Sequence, residues 1–129
     1  MLKKTIMVLA AAAMLAGFTA CSSVETAPQL NNLRLTENPN ATSIAHLNGQ
    51  VWGVYFLNLL PVFTGNTAKI GQCVVFRDTV KIENATRMIT KKAASLDATS
   101  ITDLTSCRSD FWIFPFTVKT IDISGNAVK

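Results

Sequence analysis

The chain has 129 residues with 12 Lys and Arg against 8 Asp and Glu, a formal charge of +4, and 49% hydrophobic residues. It is long enough for one small domain and too short for several. Lys3 and Lys4 belong to the leader described next; without them ten basic residues face eight acidic ones, so the charge points to no nucleic-acid partner.

The chain opens MLKKTIMVLAAAAMLAGFTACSS. Lys3 and Lys4 form a basic start, residues 5–17 an apolar run too short for a comfortable span, and small residues follow. This pattern predicts a secretory signal peptide over residues 1–20. Its end, Phe18-Thr19-Ala20-Cys21, resembles the lipobox of bacterial lipoproteins, with Phe18 in place of the usual Leu. The resemblance implies cleavage before Cys21, a diacylglyceryl thioether on its sulfur and acylation of its amine, with palmitate-type chains as the anchor. Ser22 after the Cys implies the periplasmic face of a Gram-negative outer membrane. Ordinary cleavage, with Ala20 and Ser22 at the small-residue positions, is the alternative.

Ser22–Ser43 is polar, with two prolines and several Asn, and reads as a flexible tether that spans roughly 25 Å on average. The expected layout is therefore a leader at 1–20, lipidated Cys and tether at 21–43, and one domain at 44–129. Val51–Phe63 is the most apolar stretch after the leader, yet thirteen residues do not cross a bilayer. As a strand it sends Val51, Tyr55, Leu57 and Leu59 one way and Trp52, Val54, Phe56 and Leu60 the other, so both faces need a cover.

Thr64–Thr67 reads as a turn. Cys73–Ile82 alternates, with Val74, Phe76, Val80 and Ile82 on one face, and predicts a half-buried strand. Asn84 is the expected N-cap of a helix to about Leu96, with Ala85, Met88, Ile89, Ala93 and Leu96 as its apolar stripe. Asp97 suits a left-handed position after the helix. Thr99–Cys107 reads as a second strand, Ser109–Phe116 as a second aromatic stretch, and Thr117–Val128 as a last strand. In that last strand Ile121, Ile123, Gly125 and Ala127 share a face, with Gly125 allowing close approach.

The resulting fold class is α/β of the α+β type: a small mixed or antiparallel sheet with one helix packed on one face. A helix ending near an Ala, a strand, a Cys, and a final strand with Gly125-Asn126-Ala127-Val128 together resemble small outer-membrane lipoproteins such as the sensor of the Rcs stress pathway. They are also similar to small domains described as heavy-metal-binding. These resemblances cover about Cys73 to Lys129 and imply an envelope role.

Cys73 and Cys107 remain after Cys21, and in an oxidising compartment a disulfide is the expected state, with a metal or redox pair or two free thiols as alternatives. His46 is the single histidine and has no nucleophile motif around it; the aspartates form no calcium loop or metal-ligand spacing. No enzyme, cofactor or metal site is expected. The expected contact residues are Trp52, Tyr55, Phe56, Trp112 and Phe114, in two aromatic segments that should lie together and close the open sheet face. A protein contact, a ligand contact or lipid contact at that surface are the alternatives. The expected function is that of a lipid-anchored periplasmic envelope protein acting by protein contact in assembly or stress signalling, or else that of a carrier of a small ligand or metal ion.

Overall fold

The structure is a computed structural model that describes residues 22–27 and 41–129. The expected leader, Cys21 and residues 28–40 lie outside the described residues. The elements are β1 Ser22–Ala27, β2 Ser43–Phe56, β3 Leu60–Gly65, β4 Cys73–Val75, α1 Ile82–Ala94, β5 Ser100–Ile113 and β6 Phe116–Val128. All strands pair antiparallel in one sheet of order β4-β3-β2-β6-β5, with β1 lying beside the first half of β2. The architecture is α+β and dominated by its sheet, with a single helix among the described residues.

The centre of the sheet is the β2–β6 ladder, which runs from Ser43↔Val128 to Phe56↔Phe116. Strict alternation in both strands builds it. Ala45, Leu47, Val51 and Tyr55 of β2 and Ile121, Ile123 and Ala127 of β6 point to one face and are buried there. Helix α1 covers that face with Ala85, Met88, Ile89 and Ala93, which recur at helical spacing. Glu83 in its first turn and Lys91 and Lys92 in its last complement the helix dipole. A Cβ on Gly53 would stand 2.7 Å from Thr64 Cγ2 and 2.9 Å from Val80 Cγ2, so β3 and the covering chain both require a glycine there.

Several local expectations are corrected. The polar segment read as a tether is in its first part strand β1, which pairs Ser22↔Val51 through Ala27↔His46. Its Val24 packs against the core, and a polar strand is accepted because the β2 backbone otherwise lacks a partner there. The apolar run Val51–Phe63 is two strands, not one. Leu57 and Asn58 both have positive φ (48° and 62°) and turn the chain, with the Leu59 N–H donating to the Phe56 carbonyl at 3.1 Å. Leu57 and Leu59 therefore sit in a turn and do not continue the faces of β2.

The expected strand Cys73–Ile82 stops at Val75, because Phe76 takes a positive φ of 55°. The following residues cross to the helix side and bury Val80; this crossing is tied down by Thr64 Oγ1 donating to the Arg77 carbonyl and Thr79 Oγ1 to the Gly65 carbonyl. The N-cap of α1 is Lys81, without a side-chain cap; Asn84 instead donates from Nδ2 to the Thr79 carbonyl at 3.0 Å. Asp97 has a φ of 60°, and the Ala98 N–H reaches back to the Ala93 carbonyl at 3.2 Å, as a left-handed helix end requires. The two stretches expected at Thr99–Cys107 and Ser109–Phe116 are one long strand, β5, broken only by a bulge between Thr102 and Thr105. Gly125 stands opposite that bulge, where a Cβ would lie 2.7 Å from Ile101 Cγ2.

Candidate interaction surface

Alternation that buries one face of β2 presents the other. Trp52, Val54 and Phe56 point away from α1, and the register of the neighbouring strands extends them sideways. One row runs Val75, Phe63, Val54, Val118, Phe111 across all five strands of the main order. The next runs Leu60, Phe56, Phe116, Ile113 across four strands. Neither row contains a polar side chain. At a strand spacing of about 4.8 Å the first row is roughly 19 Å wide. Phe63 is 38% exposed and Phe111 64% exposed, so no element among the described residues covers this face. Phe56 and Phe116 meet edge to face with centroids 5.8 Å apart.

Towards the opposite end the same face turns polar. Gln50 Nε2 donates to Asp122 Oδ1 at 2.8 Å, and Thr105 and Ser124 share a hydroxyl–hydroxyl bond at 2.8 Å. Beyond them His46 Nδ1 lies 2.7 Å from Asn126 Oδ1, and Asn126 Nδ2 donates to Asp103 Oδ2 at 2.9 Å. Because the Asp103 carboxylate only accepts, the Asn126 amide orientation is set, and His46 Nδ1 is the donor. This network joins the ends of β2, β6 and the β5 bulge, and gives His46 a structural partner.

The apolar end closes in two adjacent turns. The Leu57 N–H donates to the Pro115 carbonyl at 2.9 Å and Lys119 Nζ to the Asn58 carbonyl at 3.1 Å. Leu59 (81% exposed) and Phe114 (75% exposed) project from this tip.

On the helix side, α1 ends short of the tip. There Tyr55 Oη donates to Asp78 Oδ1 at 2.6 Å, and Lys119 Nζ lies 4.2 Å from the Tyr55 ring centroid. Burial first, and then the bond to Asp78, push the Tyr55 phenol well above its ordinary pKa. Arg108 Nε donates to Asp110 Oδ1 at 3.1 Å, and that bond raises the guanidinium pKa. Leu57, Asn58, Asp110, Trp112 and Thr117 line an open cavity of about 370 Å³. The Thr117 hydroxyl is buried with no hydrogen-bond partner among the described residues.

The expected contact residues thus divide. Trp52 and Phe56 lie on the open face, Tyr55 and Trp112 on the helix side, and Phe114 at the tip, where its ring meets Trp112 edge to face at 6.2 Å. The two aromatic segments do lie together, through the pair Phe56↔Phe116, but as neighbours in one sheet that leave the face open instead of closing it. Phe63, Val75, Phe111 and Val118 were not singled out from the sequence. Alternation around Val54 hints at the face, but strand order alone shows which residues complete it.

The expected Cys73–Cys107 bridge is absent. Cys73 starts β4 and Cys107 lies mid-β5, at opposite edges of the sheet, whereas a disulfide needs Cα atoms within about 7 Å. Cys107 is a free, exposed thiol. Among the described residues no group of three His, Cys, Asp or Glu could hold a metal ion, and no helix is long and apolar enough to cross a membrane. No family model, curated protein or solved structure matches the chain.

Proposed function

We propose that this protein is a lipid-anchored envelope module, held at the periplasmic face of the outer membrane, that works by protein contact through the open apolar face of its sheet. The observation that carries the contact is the pair of register rows, nine apolar side chains on a face with no cover among the described residues. Soluble monomers rarely leave so continuous an apolar patch without a use for it. The anchor and the compartment rest on the leader and lipobox, and no catalytic role is assigned.

A photo-crosslinking residue at Phe116 and another at Phe63, tested in growing cells, should give adducts of the same size, while one at Lys91 on the outer side of α1 should give none. Adducts from Lys91 alone would overturn the reading. The anchor is tested separately by the mass of Cys21. A diacylglyceryl thioether leaves that sulfur no valence for a disulfide, so an unlipidated Cys21 linked to Cys73 would remove the anchor and leave the contact surface untouched.

The second reading is a small-ligand site in the cavity beneath Trp112. It is favoured by the unpartnered Thr117 hydroxyl beside the Asp110 carboxylate and an indole face, a set suited to a small polar molecule with one flat apolar side. A ligand-dependent rise in melting temperature that Thr117→Val abolishes would support it.

A further inference from the structure

The two edges of the sheet are built differently. On one side the edge is divided between β4, three residues long, and β1, six residues long. On the other it is β5, fourteen residues long, with every residue from Asp103 to Ile113 exposed and no partner on its outer side among the described residues. Beyond the bulge, nine consecutive residues, Thr105 to Ile113, form an uninterrupted ladder with β6 on the inner side. No lysine or proline blunts the outer side, and such an edge is a template for another strand.

We propose that β5 pairs with β5 of a second copy of this chain, antiparallel and about a two-fold axis at Ser109. Two independent features select that register. Centring on Ser109 is the arrangement that pairs all nine residues between the bulge and the Phe114-Pro115 turn, from Thr105 opposite Ile113 to Ile113 opposite Thr105. The same register places Arg108 opposite Asp110 of the second copy, and the two-fold repeats that contact with the roles exchanged. Arg108 and Asp110 are the only charged residues in the nine, they point to the same side of the sheet, and both are exposed and oriented by their mutual bonds. Opposite charges on directly paired residues stabilise an antiparallel ladder, and like charges weaken it. Cys107 then faces Phe111 of the second copy, out of reach of the other Cys107. Because the axis runs perpendicular to the sheet, the two open apolar faces lie on the same side and join into one. This assembly goes beyond the contact proposed for the face and does not depend on it.

The test is the association state of the full chain, purified in mild detergent and followed by sedimentation, with charge variants at the edge. The wild-type chain should be a dimer at micromolar concentration. Arg108→Asp and Asp110→Arg each place like charges opposite one another twice and should each weaken the dimer at least about tenfold. The double swap Arg108→Asp with Asp110→Arg restores the pairing and should restore the dimer, an outcome that loss of folding would not give. A Ser109→Cys chain carrying Cys107→Ser should form a disulfide dimer on mild oxidation. A monomeric wild-type chain, single reversals without effect, or a swap that does not rescue would each overturn the pairing. A Cys107–Cys107 disulfide in the untreated wild-type dimer would overturn the Ser109 register. Failure of the Phe116 and Phe63 crosslinks, on inner strands, would sink the face and leave this edge test standing.

Discussion

Val54 and Val118 stand directly opposite each other at the centre of the open face, midway along a five-strand row that ends in Val75 on one side and Phe111 on the other. The pair lies on the reverse of strands whose other side holds the core. Cost and use are therefore separable here, since residues on this face can change without disturbing the packing beneath α1. Phe111→Ser and Phe63→Ser should each alter unfolding free energy by only about 0.5 kcal/mol. Together they should cut the binding of a hydrophobic-surface dye to the native protein. Loss of several kcal/mol in chemical denaturation would mean that the face is internal.

The contrary result is expected on the helix side. Met88 is buried against β2 and β6, and its methyl would be 3.2 Å from a Cβ placed on Gly49. Met88→Ala should destabilise by roughly 2 to 5 kcal/mol, read from the denaturation midpoint. An effect no larger than that of Phe111→Ser would remove α1 as the cover.

These two faces also show how far the sequence could be read. Alternation in Ile121–Ala127 and the apolar stripe of α1 are local periodicities that identified buried residues, whereas alternation in Val51–Phe56 separated two apolar faces without showing which one is buried. The turn at Leu57-Asn58 was announced by one polar residue inside an apolar run, without the glycine that positive φ usually attracts, and the hairpin was missed. β1 carries almost no apolar signal, because its place depends on an unpaired edge of β2. The row Val75, Phe63, Val54, Val118, Phe111 depends on register between strands distant in sequence, which no window along the chain contains. The cysteines failed for the same reason: an even count says nothing about which edges the thiols occupy.

Gly53→Ala tests the approach of β3 and the crossing chain to β2. The new methyl group would fall 2.9 Å from the Phe63 carbonyl oxygen as well as against Thr64 and Val80, and backbone cannot move aside cheaply. A loss of about 1 to 3 kcal/mol is expected in the thermal or chemical unfolding of the variant. A neutral outcome would show that β3 sits further from β2.

The Tyr55–Asp78 bond makes stability fall in alkali. Burial and the bond to Asp78 raise the folded-state phenol pKa above the unfolded value near 10, so above pH 10 the unfolded chain loses a proton that the folded chain keeps. Stability is fully present below that pH and declines above it, by at most about 1.4 kcal/mol per pH unit from this group. Denaturation midpoints from pH 9 to 11 should show the decline in the wild type and a shallower one in Tyr55→Phe. Identical slopes would remove Tyr55 as the cause.

Thiol labelling checks Cys107. Without reductant, a maleimide should modify Cys107 in the native chain, read by peptide mass mapping. No modification would contradict its free, exposed state.

The position of β6 has a consequence in time. The middle of the sheet is formed by β2 together with β6, and the bonds that join them, such as Gln50 to Asp122 and His46 to Asn126, bridge 72 and 80 residues. No nearer described strand pairs with that side of β2, so it waits until the residues of β6 have arrived. Contacts of such long separation form slowly. A polypeptide arranged in this way keeps its central strand open on one side until that distant partner is delivered.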